Sequence, residues 1–137
     1  SEARKSELAV LFIDVDDFKH YNDQYSHATG DQVLKFVART IKGVVNEFGF
    51  AGRYGGDEFI ACVRNAEIND PTRVAQDIIT KLDEGFECDG EHLTVSVSIG
   101  ISVIKDDYNT RVEYIIGKAD DAMYSVKKNG KSNYAFI

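Results

Sequence analysis

Leu8-Ala9-Val10-Leu11-Phe12-Ile13 is an unbroken apolar run of strand length, the pattern of a β-strand buried on both faces. From Gly30 the spacing changes to three and four. Val33, Leu34, Val37, Ile41, Val44, Val45 and Phe48 form a helical stripe, which Gly49 is expected to end. Phe50 to Tyr54 and Phe59 to Val63 are short apolar runs around Gly55-Gly56, so they predict a β-hairpin. Asp70-Pro71 supplies an N-cap and a first helical residue for a stripe of Val74, Ala75, Ile78, Ile79 and Leu82, closed by Gly85. Cys88-Asp89-Gly90-Glu91 reads as a tight turn before a strand from His92 to Val103. In that strand Val95, Val97, Ile99 and Ile101 alternate with Ser96, Ser98, Gly100 and Ser102, so one face packs on a core and the other meets small residues or a cleft. A last helix carries Val112, Ile115, Ile116, Ala119, Ala122, Met123 and Val126. Its final turn holds Lys127 and Lys128, and Tyr134 to Ile137 is a closing strand.

The predicted order is β-α-β-β-α-β-α-β. It contains the β-α-β-β-α-β order of a ferredoxin-like sandwich, an α/β fold of the α+β kind with an antiparallel sheet flanked by helices. The 137 residues are the length of one domain. No G-x-x-x-x-G-K-[ST] and no G-x-G-x-x-G occurs, so a bound nucleotide must be held by another device.

Charge narrows the function. Sixteen Lys and Arg against 23 Asp and Glu leave a net charge of −7. That is unfavourable for binding nucleic-acid backbones or docking on an anionic membrane surface. No apolar run reaches the roughly 18 residues of a membrane span, and the polar start Ser1 to Glu7 lacks a signal-peptide core. Cys62 and Cys88 form no CxxC pair. They read as two buried thiols in a reducing cytoplasm.

Three stretches go against their local setting. Asp14-Val15-Asp16-Asp17 places carboxylates at the end of a buried strand, where they need a partner or a metal. Gly55-Gly56-Asp57-Glu58 places two more after a glycine pair that permits positive φ and close approach of backbone to a ligand. If the first strand lies beside the hairpin, these carboxylates converge. Hard oxygen ligands beside a bare turn suit Mg²⁺; the plainer reading is a solvated acidic turn. Lys127, Lys128 and Lys131 around Gly130 are either a phosphate anchor or a well-charged helix C-terminus.

Taken together, the residues resemble the GGDEF family of diguanylate cyclases. Arg53-Tyr54-Gly55-Gly56-Asp57-Glu58-Phe59 carries the signature. Upstream, Asp14-Val15-Asp16-Asp17-Phe18-Lys19-His20-Tyr21-Asn22-Asp23 also matches. His27-Ala28-Thr29-Gly30-Asp31 is similar to the family's G-H-x-x-G-D, with Ser26 in place of the glycine. With residues 14–31 taken as one block, Ser98-Ile99-Gly100-Ile101 and the run from Ala119 to Lys131 complete four blocks in order, spanning Leu8 to about Tyr134.

The resemblance implies a palm-type, nucleotide-cyclase-like fold. It also implies a reaction in which two GTP, one on each of two facing copies of the domain, become cyclic di-GMP and two pyrophosphates. By motif position it implies Mg²⁺, with Mn²⁺ as an alternative, on Asp14, the Val15 carbonyl, Asp57 and Glu58. Asp57 or Glu58 is then the base that takes the 3′-hydroxyl proton, a choice left open. Lys19 would steady transition-state charge, and Lys127 and Lys131 would bind phosphates. Asn22 and Asp31 would read guanine, as an amide and a carboxylate can. His27 would lie near the nucleotide, and Gly55 and Gly56 would let phosphates approach the backbone. Each residue keeps a plainer alternative: Asn22 or Asp31 as a helix cap, His27 as a loop histidine, Arg53 as a brace for the hairpin. A catalytically silent GTP-binding module is the alternative function.

Two departures matter. The family's inhibitory R-x-x-D window reads Asn46-Glu47-Phe48-Gly49 here, so no feedback inhibition is expected through it. The N-terminal D-x-L-T-G-L-x-N-R element is not within these residues, and the chain opens without Met. We therefore expect a fragment of a longer signalling protein whose sensor domain lies elsewhere, with this domain cytoplasmic and the membrane attachment of the whole protein left open.

Overall fold

A computed structural model describes residues 7–105, 112–128, 130 and 133–136. The elements are β1 (Glu7–Val15), α1 (Phe18–Gln24), α2 (His27–Val45), β2 (Gly49–Arg53), β3 (Glu58–Arg64), α3 (Pro71–Glu84), β4 (Phe86–Cys88), β5 (Glu91–Leu93), β6 (Val97–Lys105), α4 (Val112–Lys128) and β7 (Tyr134–Phe136). The main sheet runs β2-β3-β1-β6-β7. Its pairs are antiparallel except β6 with β7. The first four of these strands with α2 and α3 make the expected ferredoxin-like unit, and β7 extends it beside β6.

Period two sorts the sheet into two faces. Ala9, Leu11, Ile13 and Val15 of β1, Phe59, Ala61 and Val63 of β3, and Val97, Ile99 and Ile101 of β6 point into one core with Val33, Val37 and Ile41 of α2 and Val74, Ile78 and Leu82 of α3. The opposite face carries Phe12, which packs with Met123 of α4 and Ile60. Of the α4 stripe, Ala122, Met123 and Val126 are buried; the side chains of Val112, Ile115, Ile116 and Ala119 lie outside the described residues, as does Ile137 at the end of the closing strand.

Several local expectations are corrected. The helix expected from Gly30 begins at His27. Ser26, the residue in place of the family glycine, is its N-cap, and its hydroxyl accepts from the Thr29 amide at 3.1 Å. Asp31 therefore lies inside α2, and Asn22 inside α1, so neither is a cap. Gly49 does not end α2, which stops at Val45. It opens β2, where a Cβ would stand 1.9 Å from the Cys62 carbonyl oxygen. The strand expected over His92 to Val103 is two strands, because β5 ends at Leu93 and pairs with β4 across the Asp89-Gly90 turn. Asp70 caps α3 as expected, accepting from the Thr72 amide at 2.9 Å. Both cysteines are free thiols; Cys88 is buried but Cys62 only half-buried, and burial pushes the Cys62 thiol pKa up.

Candidate active site

Asp14 is the penultimate residue of β1. Its Cα partners are Glu58 on β3 and Ser98 on β6, so a carboxylate stands on each side of one ladder rung with a small hydroxyl opposite. Asp57 directly precedes β3, and its carbonyl accepts from the Val15 amide at 3.1 Å. Asp14, Val15, Asp57 and Glu58, separated by more than forty residues of sequence, are thus neighbours at the same end of the sheet.

The charge in this corner is unbalanced. The Lys127 ammonium lies 3.2 Å from Asp14 Oδ2 and 2.9 Å from Asp16 Oδ1. Asp14 Oδ1 is buried without a hydrogen-bond partner. The Asp14 carboxyl is pushed up to about 6, mainly by burial and then by Asp57 and Glu58, against the downward pull of Lys127. Burial would depress Lys127, but its hydrogen bond to Asp16 and the charges of Asp14 and Asp16 outweigh that and hold its pKa above the ordinary value. A half-buried carboxylate with one orphaned oxygen and two acidic neighbours is short of positive charge, the demand that a divalent cation meets. Among the described residues no three His, Cys, Asp or Glu side chains converge as a closed metal cage. Asp14 with Asp57 and Glu58 near it offers hard carboxylate oxygens, the donor class that Mg²⁺ takes together with water or phosphate oxygens.

The hairpin beside it is built differently from expectation. Neither Gly55 nor Gly56 has positive φ. A Cβ on Gly55 would stand 2.9 Å from Glu58 Oε1 and push that carboxylate aside, whereas Gly56 faces open space. The Arg53 guanidinium donates to the carbonyls of Gly55 and Gly56, so it braces the turn, and the Tyr54 and Gly55 amides both close on the Glu58 carbonyl.

The remaining candidates lie on the two helices after β1. Asp17, at φ 52°, turns the chain into α1. Asn22 packs on Gly30, one residue before the exposed Asp31, so both sit at the α1–α2 corner. Asp31, Leu34, Gly52, Arg53 and Phe59 line a cleft of about 410 Å³ between α2 and the hairpin. Lys19 is exposed on α1 and lines a separate open groove of about 720 Å³ with Asp16, Tyr21 and Ser96. Tyr21 ties α1 down by donating to the Thr94 carbonyl at 2.8 Å. His27 is exposed at the start of α2, and Lys131 lies outside the described residues.

Asp16 was not singled out as a site residue on sequence grounds. It is 4% exposed and accepts from Ser96 Oγ at 2.5 Å, Ser98 Oγ at 2.6 Å and Lys127 Nζ at 2.9 Å. The signal was the serine alternation at 96 and 98: hydroxyls on the face away from the core imply a buried acceptor there.

Comparison with known proteins fits this geometry. The model for the diguanylate cyclase GGDEF domain matches residues 1–133. Diguanylate cyclase A of Treponema denticola is 38% identical over 133 residues, which are 96% of this chain and 36% of that protein. The chain therefore spans about a third of that relative. The GGDEF domain of YfiN from Pseudomonas aeruginosa superposes with a TM-score of 0.86 at 34% identity, over 99% of this chain and 84% of that one. The GGDEF domain of DgcB from Caulobacter crescentus, solved in complex with c-di-GMP, gives 0.85 at 26% identity, over 96% and 78%. Since the family model runs through nearly every residue and the fold agrees throughout, the chain belongs to the GGDEF domain family of diguanylate cyclases.

Proposed function

We propose that this domain condenses two GTP into cyclic di-GMP and two pyrophosphates, each of two facing copies holding one GTP. The observation that carries the reading is the orphaned, buried Asp14 Oδ1 on the ladder rung it shares with Glu58, beside Asp57. Asp14, the Val15 carbonyl, Asp57 and Glu58 would hold Mg²⁺, with Mn²⁺ able to replace it. When bound there, the ion supplies neutralisation of the triphosphate and acidifies the attacking hydroxyl.

The chain's own residues do the rest. Asp57 or Glu58 takes the proton of the 3′-hydroxyl from the GTP on the facing copy. That oxygen bonds to the α-phosphorus as the bond to the bridging oxygen breaks and pyrophosphate leaves. Lys127 and Lys131 hold phosphates, and Lys19 offsets charge that builds on them. Asn22 and Asp31 read the guanine edge, with His27 nearby. Gly56, open where a Cβ would be, leaves room for the triphosphate along the turn. We further propose that the domain works in the cytoplasm, under a sensor domain of a larger protein that sets the geometry of the pair.

The test is product formation from GTP and Mg²⁺, read by nucleotide chromatography, with the domain fused to a dimerising coiled coil. Cyclic di-GMP is expected, and Asp57→Ala or Glu58→Ala should abolish it with the far-ultraviolet spectrum unchanged. GTP binding without product from the fused parent would instead make this a silent GTP-binding module.

A further inference from the structure

Asp16 and Lys127 form a unit that the reading above leaves without a role in the nucleotide-free protein. Asp16 Oδ1 accepts from Ser98 Oγ and Lys127 Nζ, and Oδ2 accepts from Ser96 Oγ. Its amide donates to the Ser96 carbonyl at 2.9 Å. Two hydroxyls and a backbone bond thus hold the carboxylate in one orientation, with its side chain 3% exposed. Seated this way, it holds the ammonium of Lys127 within 3.2 Å of Asp14 Oδ2. A monovalent cation built into the chain therefore occupies one oxygen of a carboxylate assigned to the divalent ion.

We infer that Lys127 is a resident counter-cation of the metal pocket, seated by Asp16, and that binding of a divalent ion to Asp14 displaces it. A divalent ion drawn to the free Oδ1 would face the ammonium on Oδ2 across a single carboxylate, and the two like charges repel. The displaced ammonium stays tethered near Asp16 on the last turn of α4, within reach of an arriving phosphate. Asp16 is then a positioning residue: it acts through Lys127. The inference rests on the Mg²⁺ reading of Asp14 proposed above.

The probe is Mn²⁺ alone, titrated into the nucleotide-free chain and followed by loss of the free-ion electron paramagnetic resonance signal. Lys127→Met is expected to tighten Mn²⁺ about tenfold. Lys128→Met is the matched control. It removes the same charge from the neighbouring residue, which is exposed with its ammonium 5.9 Å from the Tyr124 ring centroid. It should change affinity less than about twofold, because exposed charges are screened. Equal tightening by the two variants overturns the inference and leaves the metal reading standing. Absence of any Mn²⁺ binding that Asp14→Asn removes overturns both.

The seating role has its own readout, the affinity for a non-reacting GTP analogue. Asp16→Asn is expected to weaken the analogue in the parent and to have no further effect on Lys127→Met. The same cost in both backgrounds would show that Asp16 acts independently of the lysine. Ser98→Ala, which removes one hydroxyl, serves if Asp16→Asn does not fold, with the same expected pattern.

Discussion

Gly30→Ala separates the fold from the proposed guanine site. A Cβ on Gly30 would lie 2.0 Å from Asn22 Oδ1, 3.0 Å from its Cγ and 3.2 Å from Phe18 Cζ. Ordinary contact begins at 3.4 Å, so the end of the Asn22 side chain must move well away. That end is flexible, and an off-rotamer side chain costs roughly 0.5–1.5 kcal/mol. Alanine in a helix interior recovers about 1 kcal/mol over glycine. The two nearly cancel, so stability should change by no more than about 1 kcal/mol. The amide, however, leaves the α1–α2 corner. Losing one or two hydrogen bonds to guanine at about 1 kcal/mol each weakens GTP roughly five- to thirtyfold. The assay pairs a urea melt with titration of a fluorescent GTP analogue, and includes Asn22→Ala and the double variant. Asn22→Ala should weaken binding to a similar extent, and the double variant should add little. If Gly30→Ala binds as the parent while Asn22→Ala is weakened, the displacement argument fails. If both bind as the parent, Asn22 does not read guanine.

Gly49→Ala should be a folding defect with no specific nucleotide effect. Its Cβ would meet a backbone carbonyl at 1.9 Å that the β2–β3 ladder holds in place, and a loss of about 1–3 kcal/mol of unfolding free energy is expected, read as a lower urea midpoint. His92 should make the stability of the β4–β5 hairpin depend on pH. Its ring nitrogens lie 2.7 Å from Glu87 Oε2 and 2.7 Å from the Glu84 carbonyl, and only the doubly protonated ring can donate to both. The hydrogen bond to Glu87, then that to Glu84, raises its pKa above 6.5. A raised folded pKa means the contribution is complete below the unfolded value of 6.5 and is lost as pH climbs through the folded one. Nuclear magnetic resonance should find the His92 midpoint above 6.5, and Glu87→Gln should bring it back down. Asn46→Ala should leave any product inhibition of the proposed cyclase activity unchanged, since residues 46–49 lack the arginine and aspartate of the inhibitory window; a relieved inhibition would refute this.

The architecture was legible wherever a period ran long enough to leave one reading. The apolar stripe from Val33 to Val45 read as a helix, though its first turn from His27 did not show, and the short apolar run of β1 read as a buried strand. α1 escaped notice because its seven residues bury none of their number. Its helicity follows from its anchors, the Tyr21 bond to Thr94 and the packing of Asn22 on Gly30, and these are tertiary. The split between β5 and β6 was hidden for a related reason. Alternation continues through Thr94, Val95 and Ser96, although the hydrogen bonds there go to Leu82 and Asp16 and not to a ladder. Gly49 shows a different failure. A glycine after a helical stripe has a ready explanation as a stop signal, but its actual constraint is a carbonyl thirteen residues away, which no local pattern records.

The candidate site was legible in its carboxylates and not in their seating, and one cause explains both. A strand that sends every second side chain to the core must send the others to the opposite face, and near the end of β1 those others are Phe12, Asp14 and, just past the strand, Asp16. The register then brings Glu58 and Ser98 beside Asp14. A one-residue slip of β3 would exchange Glu58 for a core-facing residue and bury Glu58 in the apolar layer, so the burial of Phe59, Ala61 and Val63 also holds the acidic corner in register. Folding and the proposed chemistry therefore share one determinant. A variant that weakens β3, such as Ala61→Gly at a fully buried position, should lose the proposed cyclase activity at the same urea concentration at which the sheet melts, below that of the parent. Activity that persisted beyond the melting of the sheet would mean the acidic corner is held by something else.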